Sequence, residues 1–162
     1  MRRGPRLAAG AVAALLACAA LAAAAIPRAG KFSGTTSQLY PDGSAGTVSI
    51  KVTHGGRRLR SFDITWLAAC DSGFTTLSQG THAEGTVTRG GKFGGRGSYF
   101  SDQGNLAGTQ YTATVTDHIE GRFVGKRRAK GTFKARAVLR DAAGQPVSTC
   151  TTPVIRWRAR HI

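Results

Sequence analysis

Four histidines, eight carboxylates and three cysteines are the groups in this chain of 162 residues that could carry acid–base, nucleophilic or metal chemistry. His54 stands before Gly55-Gly56 and His161 is the penultimate residue, which reads as a turn and a tail. Asp117-His118-Ile119-Glu120 sets two acids around a histidine, but successive side chains of a strand point to opposite faces, so Asp117 would face away from His118. His82 has no neighbour at diagnostic spacing, and Asp63, alternating with Phe62, Ile64 and Trp66, would face solvent. There is no Gly-x-Ser-x-Gly, no His-Glu-x-x-His and no EF-hand loop. Nothing here gives a positive reason to propose an enzyme, and the expectation is a non-catalytic protein without metal or cofactor.

The charge is the unusual quantity. Lys and Arg number 23 against 8 Asp and Glu, a formal +15. Much of it falls on two alternating segments. In 129–140, Phe133, Ala135, Ala137 and Leu139 share one face and Lys130, Lys134, Arg136 and Arg140 the other. In 154–160, Ile155, Trp157 and Ala159 oppose Arg156, Arg158 and Arg160. These seven cations are the candidate anion-binding residues.

The first 25 residues read as a signal peptide. Arg2, Arg3 and Arg6 precede an uncharged, Ala- and Leu-rich stretch over Leu7 to Ile26, with Ala23-Ala24-Ala25 as a small-residue cleavage site. Leu15-Leu16-Ala17-Cys18 resembles a lipobox, which would anchor the chain through a lipid at Cys18; against that, apolar sequence continues well beyond the cysteine. Removing residues 1–25 takes away three arginines and no acid, leaving 20 basic and 8 acidic residues, a net +12. The basicity belongs to the mature chain. Cys70 and Cys150 remain, and two cysteines in an exported domain most often pair. A metal site is the alternative, but neither has a second Cys or a His at ligand spacing.

Residues 26–162 form a single β domain on this reading. Runs rich in Thr, Val, Phe and Tyr recur between turns expected at Pro41–Ser44, His54–Gly56, Asp71–Gly73, Arg89–Gly91, Asp102–Asn105 and Asp141–Gly144, and no sustained helical period appears after residue 30. Strands are predicted at 31–39, 45–54, 57–67, 83–89, 92–100, 108–119, 120–125, 129–140 and 153–160. The fold class is all-β, an antiparallel β-barrel or β-sandwich of about 8 to 10 short strands preceded by a signal-peptide helix. One internal repeat stands out. Gly30-Lys31-Phe32-Ser33-Gly34, Gly91-Lys92-Phe93-Gly94-Gly95 and Gly121-Arg122-Phe123-Val124-Gly125 each place a base and a Phe on opposite faces, Phe inward and base outward.

The chain resembles a group of small secreted actinobacterial proteins of no established function. The resemblance rests on the signal, on Gly30-Lys31-Phe32-Ser33-Gly34-Thr35-Thr36-Ser37-Gln38, and on Val48-Ser49-Ile50-Lys51-Val52-Thr53. It continues through Cys70-Asp71-Ser72-Gly73, Gly121-Arg122-Phe123-Val124-Gly125, Ala129-Lys130-Gly131-Thr132-Phe133, and Cys150 with Trp157. These are turns and core positions, so the resemblance implies a single β domain and carries over no catalytic residue.

Two functional readings follow from the residues. The first is an exported domain whose cationic sheet face meets polyanions of the cell envelope or its surroundings, against the plainer view that the charge keeps the protein soluble and guards its edges. Nucleic acid fits this less well, since the outward basic faces carry no stacking aromatics. The second is a small barrel holding an apolar ligand among Phe93, Tyr111, Phe133 and Trp157, with room left by Ala113, Ala135, Ala137 and Ala159.

Overall fold

A computed structural model describes residues 26–73, 75–106 and 109–162. The signal segment 1–25 and Cys18 lie outside the described residues, as does the side chain of His82. Nine strands account for the described chain: β1 (Gly30–Leu39), β2 (Ala45–Thr53), β3 (Arg58–Cys70), β4 (Thr75–Thr86), β5 (Lys92–Leu106), β6 (Thr109–Phe123), β7 (Arg128–Arg140), β8 (Pro146–Thr151) and β9 (Ile155–His161).

All pairings are antiparallel, and the sheet runs β4-β3-β2-β1-β9-β7-β6-β5 with β8 joining β3 to β7. The ring β3-β2-β1-β9-β7-β8 therefore closes on itself as a six-stranded barrel, which leaves β4 as an edge on one side and β6-β5 as an extension on the other. The fold is an all-β barrel, and the choice between barrel and sandwich falls to the barrel. Closure depends on the lengths of β3 and β7. β2 pairs with β3 up to Ile64, and β8 takes over at Ala69 and Cys70; likewise β9 pairs with β7 up to Phe133, and β8 from Arg136. Gln38 fills the gap on β3. Its side-chain carbonyl accepts from the Leu67 N–H and its amide donates to the Leu67 C=O, both at 2.7 Å, so the side chain substitutes for a missing ladder strand.

Inside the ring, alternation delivers the large side chains. Phe32, Phe62, Trp66, Phe123, Phe133 and Trp157 are all fully buried. The three repeat phenylalanines converge, with Phe123 ring centroids 5.1 Å from Phe32 and 4.9 Å from Phe93, while Lys31, Lys92 and Arg122 face out. Trp157 packs between Phe62, edge-on at 5.3 Å, and Phe93, tilted at 5.9 Å.

β4 runs Thr75–Thr86 rather than 83–89 and β8 is a strand beyond those expected, and two further differences, in β6 and β5, have a local physical reason. The segments predicted as 108–119 and 120–125 are one strand, β6, because Gly121 does not break the ladder: it pairs with Phe93 on β5 and Gly131 on β7. The turn expected at Asp102-Gln103-Gly104-Asn105 is a register shift within β5, between Ser101 and Gly104. The turns at Pro41–Ser44, His54–Gly56, Asp71–Gly73, Arg89–Gly91 and Asp141–Gly144 fall where expected.

At Gly34 the repeat's glycine answers a close backbone approach. A Cβ there would lie 1.9 Å from the Arg158 carbonyl oxygen and 2.7 Å from the Ala159 Cα, so β1 and β9 could not stay paired at this spacing. Gly34→Ala is expected to cost about 3 kcal/mol or more, read as a lowered urea midpoint, because the contact is backbone against backbone. An unchanged midpoint would show that the β1–β9 seam is slack.

Candidate functional site

Cross-strand register decides where the cations go. Lys92 on β5 sits opposite Arg122 on β6, Arg122 opposite Lys130 on β7, and Lys130 opposite Arg158 on β9, so one row of four cations crosses four adjacent strands. Four residues along the strands a second row reads Arg96, His118 and Lys134. Between them runs Gly94, Glu120, Thr132 and Arg156. Arg128 faces Arg160 on the far side of the first row, and Arg136 lies beyond the second, beside Thr116 and Thr151.

Of the seven cations nominated from sequence, six share this face. Arg140 stands apart at the end of β7, where its guanidinium donates to the Gly144 carbonyl of the β7–β8 turn at 3.0 Å. The face also gathers Lys92, Arg96, Arg122 and Arg128, which alternation alone did not single out. The signal for Lys92 and Arg122 was in the repeat, which gives base and Phe the same relation on β5 and β6, but the register that aligns them with Lys130 and Arg158 is a tertiary property.

The face is concave. A depression of about 830 Å³ lies over the first row and the floor, bounded by Lys92, Arg122, Lys130, Arg156 and Arg158, with Gly94 and Gly95 at one end. A second of about 540 Å³ continues past His118 to Arg96, Lys134 and Arg136. Among the described outward residues of β5, β6, β7 and β9, Glu120 is the single carboxylate; its Oε1 lies 3.9 Å from His118 Nε2.

The chain matches no family model, no curated protein and no solved structure.

Strand geometry separates the Asp117-His118-Ile119-Glu120 segment as alternation demands: His118 and Glu120 face the groove, whereas Asp117 lies on the opposite, buried face of β6 and is 5% exposed. Burial raises the Tyr99 phenol above its usual value, a hydrogen bond with Ser78 pulls the other way, and the Asp117 charge adds a smaller upward push. Among the described residues no three of His, Cys, Asp and Glu come together as a metal-binding group.

Cys70 and Cys150 form a disulfide on paired positions of β3 and β8, with Cα atoms 3.8 Å apart. Beside it Asp71 accepts from the Ser148 hydroxyl at 2.6 Å and the Thr149 N–H at 3.0 Å. These bonds, Ser148 first, hold the Asp71 carboxyl below its usual range. A depressed carboxyl pKa stabilises the fold above the unfolded value of about 3.8, and the contribution is lost as pH falls through the lower folded value. Asp71→Asn is thus expected to melt below the parent at pH 6, with the gap closing between pH 4 and pH 2 in a pH series of melting curves; a gap independent of pH would rule out the carboxylate as its source.

Proposed function

We propose that this chain is an exported, non-catalytic binding domain that holds polyanions of the cell envelope or its surroundings against its basic sheet face. The observation that carries this reading is the row Lys92–Arg122–Lys130–Arg158. Like charges placed directly opposite one another across a sheet are destabilising. A surface that needed charge only for solubility would intersperse both signs. Edge protection accounts for Lys92 at most, on the edge strand β5, since Arg122, Lys130 and Arg158 lie on β6, β7 and β9, each with neighbours on both sides. What offsets the repulsion is an anionic ligand, and a concave face focuses the field on it.

Export is supported by the basic-then-apolar stretch over residues 1–25 and by the Cys70–Cys150 bridge, which suits an oxidising compartment. The reading of the barrel interior as an apolar-ligand site receives no comparable support, because Phe62, Phe93, Phe123 and Trp157 fill it with mutual ring contacts.

The test is retention of the mature protein on anionic and neutral polymers across a salt series. Tight retention that falls steeply with salt, and that is lost on reversing Arg156, Arg158 and Arg160 to Glu, is the expected result. Retention no better than that of an unrelated protein of equal charge would leave the face as background.

A further inference from the structure

We infer that the polyanion taken by this face is hydroxyl-rich, an anionic polysaccharide; the inference rests on the reading above and names its ligand. The groove has two cationic rows and, between them, a floor that is not cationic throughout. Glu120 stands in that floor beside Thr132, with its side chain 72% exposed. A carboxylate only accepts hydrogen bonds.

A bare polyanion such as polyphosphate offers acceptors alone. Laid across the strands it would satisfy Lys92, Arg122, Lys130 and Arg158 but press its charge on Glu120, and like-charge juxtaposition at an interface is costly. A polyuronate offers both chemistries. Its carboxylates meet the guanidinium and ammonium groups of the rows, Arg taking them in bidentate fashion, and its ring hydroxyls donate to Glu120 and exchange hydrogen bonds with Thr132.

The dimensions agree. Adjacent strands lie about 4.8 Å apart, so the four-cation row spans about 14 Å, and two residues along a strand put each row about 6.5 Å from the floor, a width that admits one chain of sugar rings. Gly94, opposite Glu120, leaves the β5 end of the floor without a side chain, so a ring can lie against the backbone there. Neither row nor the floor carries a Phe, Tyr or Trp, the large rings on which a single-stranded nucleic acid would stack its bases.

Binding of the mature protein to polygalacturonate and to inorganic polyphosphate of matched charge, measured by calorimetry at low salt for the parent, Glu120→Ala and Glu120→Gln, separates the cases. Glu120 is exposed, so both variants should fold, which a melting curve checks. Glu120→Ala is expected to weaken polygalacturonate about tenfold, the loss of hydrogen bonds to a charged acceptor, and to tighten polyphosphate severalfold. Glu120→Gln, whose carbonyl still accepts, should recover part of the polygalacturonate affinity. Tightening of both polymers by Glu120→Ala, or a parent that binds polyphosphate and not polygalacturonate, would overturn the inference while leaving a polyanion-binding face. Failure of the parent to bind either above a charge-matched control would remove the face itself.

Discussion

Replacing both Cys70 and Cys150 by Ala is expected to lower the melting temperature by about 15 °C. The bridge closes a separation of 80 residues, and the chain-entropy model gives such a loop about 4 to 5 kcal/mol. At this chain length each kcal/mol moves the midpoint by about 3 to 4 °C. The placement argues for the full effect. The β3–β8 ladder has two pairs, Ala69 with Thr151 and Cys70 with Cys150, continued by one bond from the Asp71 N–H to the Thr149 carbonyl at 3.0 Å, so the barrel's ring is completed by a short ladder with the disulfide inside it. The Asp71 carboxylate supports the same seam through Ser148 and Thr149 but does not cross it covalently. The variant should therefore lose amide protection first in β8, before β1 or β2, in a hydrogen-exchange experiment. A melting point within a few degrees of the parent, with β8 protection intact, would show that the backbone ladders close the barrel unaided.

The two-faced strands were legible because burial on one side and water on the other leave a period of two in the residues. β7 and β9, whose inward Phe133, Ala135, Ala137, Ile155, Trp157 and Ala159 are all buried, were read with their cations on the correct face. β4 was misplaced at 83–89 because its inward positions need not be apolar. Gly80 lies opposite Ile64, and a Cβ there would come within 3.3 Å of the Trp66 indole nitrogen: the tryptophan occupies the space that an alternating apolar residue would otherwise advertise. β8 was missed because Pro-Val-Ser-Thr-Cys-Thr is short and polar, begins with Pro, and looks like a loop until β3 and β7 accept it as a bridge. For the candidate site, strand faces could be read one strand at a time. The alignment of Lys92, Arg122, Lys130 and Arg158 could not, because it needs the order β5-β6-β7-β9 and the register of three ladders.

That alignment leads to the second large effect, in which stability and binding should move in opposite directions. Changing Lys92, Arg122, Lys130 and Arg158 together to Gln removes three directly opposed like-charge pairs while keeping long side chains that still cover the strands. Each such pair is worth a few tenths to 1 kcal/mol, so the variant is expected to gain about 1 to 3 kcal/mol at low ionic strength. The gain should shrink in high salt, where the parent's repulsion is screened within about 3 Å at 1 M. Polyanion affinity should fall instead, by at least a hundredfold at low salt, with a shallower dependence on salt because fewer counterions are exchanged on binding. Structural positions and working positions are separated by this pair of readouts. A row kept for the fold would lose stability when neutralised, and a row kept only for solubility would leave affinity no weaker than the net charge explains, as the same four charges removed from elsewhere on the surface would reveal. Gain in stability together with loss of binding is the signature of residues held in a mutually repulsive arrangement by the ligand they meet.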